Sequence, residues 1–130
     1  MAVLDTDILV SLLKGTSDAI GKIGALQESG SQISTTIINA YELLKGANIS
    51  SKPHENLAKV RESLGNLQVL PLSFGSVEEA SKIYKELRDG GKMVGEFDVL
   101  IAGIVKFADE SLVTRNGHFK AIRGMKLIHW

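Results

Sequence analysis

The 130-residue chain contains no cysteine, two prolines, one tryptophan and only 5% aromatic residues. Without cysteine there can be no disulfide framework, thiolate zinc site, iron–sulfur ligation or thiol nucleophile. The three histidines, His54, His118 and His129, are scattered and show no ligand spacing. Long apolar runs are missing too. The longest, around Val99 to Val105, falls far short of the roughly 18 residues that a membrane helix needs. The opening Met-Ala-Val-Leu-Asp has no basic and apolar leader pattern. Neither sign of charge dominates, with 15 Lys and Arg against 15 Asp and Glu. These absences predict one soluble, cytoplasmic domain of ordinary size, residues 1–130, with no membrane segment and enough length to bury a core unaided. Neutrality also argues against uniform attraction to nucleic acid, since phosphate binding scales with Lys and Arg contacts. The balance is uneven, however. From Ser111 to Trp130 there is no acid, while Arg115, Lys120, Arg123 and Lys126 supply positive charge.

What is present is an alternation of short apolar runs with helical patterns, the signature of a parallel sheet covered by helices. Ala2-Val3-Leu4 reads as a first strand ending at Asp5. Ile8, Leu9, Leu12 and Leu13 then share a helical face, stopped by Gly15. A helix over about Ser17–Ser29 places Ile20, Ile23 and Leu26 inward. A second strand, Gln32–Thr35, precedes a helix in which Ile37, Tyr41 and Leu44 repeat at helical spacing. Ala47 to Lys52 reads as loop. Pro53 suits the first turn of the next helix, whose stripe is Leu57, Val60 and Leu64. A third strand at Val69–Leu72 lies at an edge or has Pro71 at its end, because Pro71 cannot donate to a ladder. Ser76 with Glu79 reads as a capping box for a helix with Ala80, Ile83, Tyr84 and Leu87 inward, closed by Gly90-Gly91. Asp98 opens another helix, and Leu112–Thr114 and Lys126–His129 complete about five strands. The expected architecture is a three-layer α/β/α domain with a central parallel sheet.

In open parallel sheets ligands bind outside the carboxyl ends of the strands. That rule selects Asp5 and Asp7 after the first strand, Thr114 and Asn116 after the fourth, Glu42 in the helix after the second, and Glu96 and Asp98 at the start of the helix before the fourth. Carboxylates gathered at one sheet end repel one another unless a cation compensates. Oxygen ligands without His or Cys suit Mg²⁺ or Mn²⁺ better than zinc.

These same residues carry a resemblance over nearly the whole chain. Val3-Leu4-Asp5-Thr6-Asp7-Ile8-Leu9 resembles the first motif of PIN-domain nucleases, and specifically of VapC-type toxins from toxin–antitoxin pairs. Tyr41-Glu42-Leu43-Leu44-Lys45-Gly46-Ala47 is similar to their second motif. Gly95-Glu96-Phe97-Asp98-Val99-Leu100-Ile101-Ala102 resembles the third and Leu112-Val113-Thr114-Arg115-Asn116-Gly117-His118-Phe119 the fourth. Gly124 to Trp130 is similar to the family's ending. Two positions depart from the pattern. Asp7 stands where the family commonly has Asn, and Asn116 where it often has Asp, so one charge moves within the site.

The resemblance implies a PIN-like fold and an endoribonuclease using Mg²⁺ or Mn²⁺. Asp5, Glu42 and Asp98 would hold the metal, with Asn116 as a fourth catalytic position. Thr6 and Thr114 would hydrogen-bond the carboxylates, and Asp7 and Glu96 would add acidity. Arg115, Lys120, Arg123 and Lys126 would face RNA. It also implies a VapB-type antitoxin partner and a homodimer, with Phe74, Tyr84 and the Ala47 to Lys52 stretch as candidate surfaces. Two other readings share these residues. One is a metal-poor PIN-fold binding module that cleaves nothing. The other is a haloacid-dehalogenase-type phosphatase using Asp5 and Asp7 with Thr35, Lys92 and the Gly95-Glu96-Phe97-Asp98 run.

Overall fold

A computed structural model describes residues 1–130. Five strands, β1 (Ala2–Leu4), β2 (Ile33–Thr36), β3 (Gln68–Leu70), β4 (Ser111–Val113) and β5 (Lys126–Ile128), form one sheet in the order β3-β2-β1-β4-β5. Every pairing is parallel. The chain winds outward from β1 to β3, then crosses back and adds β4 and β5 on the other side. The order therefore reverses between β1 and β4, and the carboxyl ends of these two strands flank the crevice where such folds bind ligands.

Side chains alternate across the sheet and fill two cores. Val3, Leu70 and Leu112 face one layer, packing with Ile83, Leu87, Ile101, Val105 and Phe119. Ala2, Leu4 and Val113 face the other, with Ile8, Leu9, Ile23, Leu43 and Val60. The first layer is built by helices α5 (Phe74–Asp89) and α6 (Glu96–Phe107), and the second by α1 (Thr6–Leu13), α2 (Ser17–Glu28), α3 (Ile37–Asn48) and α4 (Pro53–Gly65). The expected three-layer α/β/α architecture is therefore present. No helix is long and apolar enough to cross a membrane.

Two packing features place the site. At Gly103 of α6 a Cβ would lie 2.6 Å from the Ser76 carbonyl and 2.7 Å from the Ala80 Cβ, so only glycine lets α6 approach α5 this closely. That approach helps set where the amino end of α6, and with it Asp98, meets the sheet. After β4 a short 3₁₀ helix, Gly117–Ala121, is pinned by Phe119, which is fully buried. Burying such a side chain contributes about 2–3 kcal/mol and fixes the turn that carries Asn116 and His118.

The structure corrects several helical faces. In α3 the buried residues are Asn39, Ala40, Leu43 and Ala47, while Ile37 and Tyr41 are exposed. Ile20 of α2 also points outward. Helix α3 runs on to Asn48, through the start of the expected loop. Helix α5 is capped by Ser73, whose hydroxyl accepts from the Ser76 N–H while Ser76 Oγ accepts from the Ser73 N–H, so Ser76 belongs to the first turn. Edge placement of β3 and the role of Pro53 at the start of α4 agree with expectation.

Candidate active site at the carboxyl edge of the sheet

Asp5 follows β1 directly and caps α1, its Oδ1 accepting from the Thr6 N–H at 2.8 Å. Because β1 lies between β2 and β4, this carboxylate is enclosed from both sides and is only 6% exposed. Thr114, one residue past β4, donates its hydroxyl to Asp5 Oδ2 at 2.6 Å. Asn39, in the first turn of α3, donates its amide to Asp5 Oδ1 and to Thr6 Oγ1, both at 2.9 Å. The Thr6 hydroxyl in turn donates to Glu42 Oε1 at 2.8 Å. Thr36, which caps α3, holds the Asn39 amide oxygen with its own hydroxyl at 2.7 Å.

On the other side Asn116 donates its backbone N–H to Thr114 Oγ1 at 2.9 Å, and its side-chain amide reaches toward Asp98 Oδ2 at 3.5 Å. His118 Nδ1 lies 3.1 Å from the same Asp98 oxygen. Glu42, Asp5 and Asp98 are thus strung on a continuous hydrogen-bonded chain through Thr6, Asn39, Thr114 and Asn116. They do not converge: no three His, Asp or Glu side chains come together closely enough to form a ready metal cage.

The electrostatics are one-sided. Asp5, Asp7 and Glu42 take part in no ion pair; the one basic side chain paired with a site acid is His118, on Asp98. Burial, with the Asp7 charge adding to it, pushes the Asp5 carboxyl up to about 6 despite the bonds from Thr114, Thr6 and Asn39 that favour its charged form. Hard oxygen donors set along one crevice, with Asp5 and Glu42 lacking a cationic partner, are of the chemical type that suits a divalent metal, although they are not gathered into a cage.

The remaining expected residues divide. Asp7 accepts from the N–H groups of Ile8 at 2.6 Å and Arg115 at 2.7 Å and from the Trp130 indole at 3.2 Å, so it is occupied in tying the chain ends together. Glu96 is exposed and lines a groove between α5 and α6 with Val77, Tyr84 and Val99, bonded to no site residue. The basic tail does not form one patch. Arg115 sits beside the site, but its guanidinium lies over the Trp130 ring at 3.6 Å and reaches Asp18 at 3.3 Å. Lys126 aligns with Ser111 and Ala2 at the opposite edge of the sheet, because β5 is parallel and begins there. Lys120 and Arg123 are exposed, and Arg123 lines a groove beside Ile83 and Leu87.

Thr35 spends its hydroxyl on the Leu4 carbonyl at 2.8 Å, fully buried, and Lys92 lines a distant groove beside Leu87 and Ile122. The phosphatase reading thereby loses Thr35 and Lys92. Asn39 was missed by sequence reasoning. Its signal was a polar, weakly helix-forming residue between Ile38 and Ala40, where only a buried partner would favour it.

The family model described as PIN domain matches residues 2–125. The chain belongs to the PIN-domain family. Among curated PIN-type relatives, it is 31% identical over 128 residues to the tRNA(fMet)-specific endonuclease VapC of Salmonella typhimurium, covering 98% of this chain and 96% of that protein. It is 28% identical, with the same coverage, to the protein of that name from Shigella flexneri. Its fold superposes on a chain from the crystal structure of VapBC2 from Rickettsia felis bound to a promoter DNA fragment, with a TM-score of 0.92 and 27% identity, covering 99% of this chain and 98% of that one. This PIN domain therefore has its acid chain at the switch point of a fold shared with VapC proteins.

Proposed function

We propose that the chain is the endoribonuclease toxin of a VapBC-type toxin–antitoxin pair, hydrolysing RNA phosphodiester bonds with a metal-activated water. The observation that carries this reading is the row of acids Glu42–Asp5–Asp98 laid across the carboxyl edge between β1 and β4, in which no lysine or arginine is paired and only Asp98 meets a basic side chain, His118. The names of the curated relatives support ribonuclease activity. Asp5, Glu42 and Asp98 would hold Mg²⁺ or Mn²⁺. When bound, such an ion lowers the pKa of an attacking water and offsets the charge that develops on the phosphoryl oxygens.

The residues of the chain do the rest. Thr114 and Asn39 fix the Asp5 carboxylate from opposite sides, so little reorganisation is left when ligands enter. Thr6 orients Glu42, and Asn116 with His118 holds Asp98 at the mouth of the crevice. Asn116 uses its side-chain oxygen to accept from the His118 N–H at 3.0 Å, and so shapes the turn instead of adding charge. Beside Glu42 lies an apolar groove of about 440 Å³ lined by Val10, Leu13, Leu43, Ala47 and Val60, with Lys14 and Lys59 at its rim. We assign this groove to the antitoxin segment, whose apolar side chains it would cover.

The test is cleavage of total RNA and of initiator tRNA by the purified chain. Cutting is expected with Mg²⁺ or Mn²⁺, none in EDTA, and none by Asp98→Asn. Cleavage that persists in EDTA or in Asp98→Asn overturns the metal-dependent reading. Complete inactivity at every metal concentration returns the protein to the binding-module class.

A further inference from the structure

Tyr41 and Phe97 immediately precede Glu42 and Asp98, and both rings are left in solvent, with Tyr41 50% and Phe97 38% exposed. The two rings meet edge to face across the gap between α3 and α6, with centroids 5.5 Å apart and planes at 81°. One turn along α3, the Lys45 ammonium stands 5.4 Å from the Tyr41 centroid and 5.6 Å from that of Phe97. Lys45 forms no ion pair. An aromatic corner with a free cation therefore bridges the helices that carry two of the site acids.

An acidic crevice repels a polyanion, so affinity for RNA must come from groups outside the acid chain. Arg115 is engaged with Asp18 and Trp130, and Lys126 lies at the far edge of the sheet. Stacking on an aromatic face carries no charge penalty, and a nearby ammonium meets the flanking phosphate. A base inside a duplex has both faces covered and cannot use such a surface. We propose that Tyr41, Phe97 and Lys45 form a platform on which one unpaired base of the RNA stacks beside the acid chain, with Lys45 meeting its phosphate. This assignment rests on the ribonuclease reading and adds to it the residues that select single-stranded substrate.

The experiment uses a short single-stranded RNA carrying a fluorescent adenine analogue, kept intact in EDTA, and the same strand annealed to its complement. With the wild-type protein the analogue is expected to be quenched on binding, and the single strand to bind more tightly than the duplex. Tyr41→Ala and Phe97→Ala each should weaken single-strand binding by about tenfold and relieve the quenching. Phe97→Tyr should retain both. Cleavage under metal is measured in parallel. If the wild type cuts RNA but the alanine variants bind and quench as it does, the platform is overturned and the ribonuclease reading stands. If the variants instead lose a dimer in sedimentation while RNA binding is unmoved, the aromatic corner is a contact between copies and the platform is overturned. If the wild type neither binds nor cuts RNA, both readings fall.

Discussion

At the amino edge of the sheet Glu110 meets the N-terminal ammonium at 2.8 Å, and Asp109 meets Lys126 at 2.8 Å, so each of these acids has a cation. At the carboxyl edge Asp5, Asp7 and Glu42 meet hydroxyls, amides and backbone N–H groups, and no lysine or arginine side chain. The same residue types thus serve two ends. Ion pairs at one edge settle charge locally, and the exposed one, Asp109–Lys126, contributes little to stability. Hydrogen bonds at the other edge fix the positions of carboxylates without neutralising them. A negative charge that is positioned but uncompensated is a liability for folding and an asset for binding a cation.

The largest expected break of this contrast is Asp5→Asn. Cleavage should fall roughly a thousandfold, as read by RNA cutting. Stability should move the other way. With its carboxyl raised from 3.8 to about 6, folded Asp5 binds a proton more readily than unfolded Asp5. The metal-free protein therefore loses stability as pH rises from about 4 to 6, and carries a penalty on the order of 3 kcal/mol above that window. Asp5→Asn should remove most of it, gaining about 2 kcal/mol at pH 8 in EDTA and flattening the pH dependence. Urea denaturation across pH checks both, and a variant less stable than wild type at pH 8 contradicts the account.

Next in size is Asn39→Ala, which strips one donor from Asp5 and leaves the Thr36 hydroxyl without its acceptor. It should cost about 2 kcal/mol and push the Asp5 carboxyl still higher, seen as a wider acid-stabilised range. Asn116→Asp adds another acid beside Asp98. Mn²⁺ binding by calorimetry should tighten about fivefold, near 1 kcal/mol. Smallest is Lys126→Ala, which breaks an exposed pair at the amino edge. The thermal midpoint and RNA cleavage should stay unchanged; a large loss of either would erase the distinction between the edges.

Much of this was legible in the sequence, for identifiable reasons. Strands β1 and β4 are apolar runs ended by polar residues, and acids after such runs are visible by position alone. The strand-end rule and motif spacing pointed to Glu42 and Asp98, and the fold places both at the carboxyl edge beside Asp5. The inward face of α3 was not legible. Ile37, Tyr41 and Leu44 have good helical spacing, yet the side turned inward is the one with Asn39, Ala40, Leu43 and Ala47. Periodicity names a stripe, but small residues and a buried amide make the closer contact with β1 and its neighbours. The basic tail misled for a topological reason: its residues are neighbours in sequence and span the sheet from edge to edge in space.

The hydrogen bond from Thr114 to Asp5 joins positions 109 residues apart, and that from Trp130 to Asp7 joins positions 123 apart. Contacts so remote in sequence form late, after nearer pairings have closed the intervening loops. On the ribosome Asp5 is made 109 residues before the hydroxyl that orients it. A stalled or truncated product therefore carries Asp5, Glu42 and even Asp98 without an assembled site.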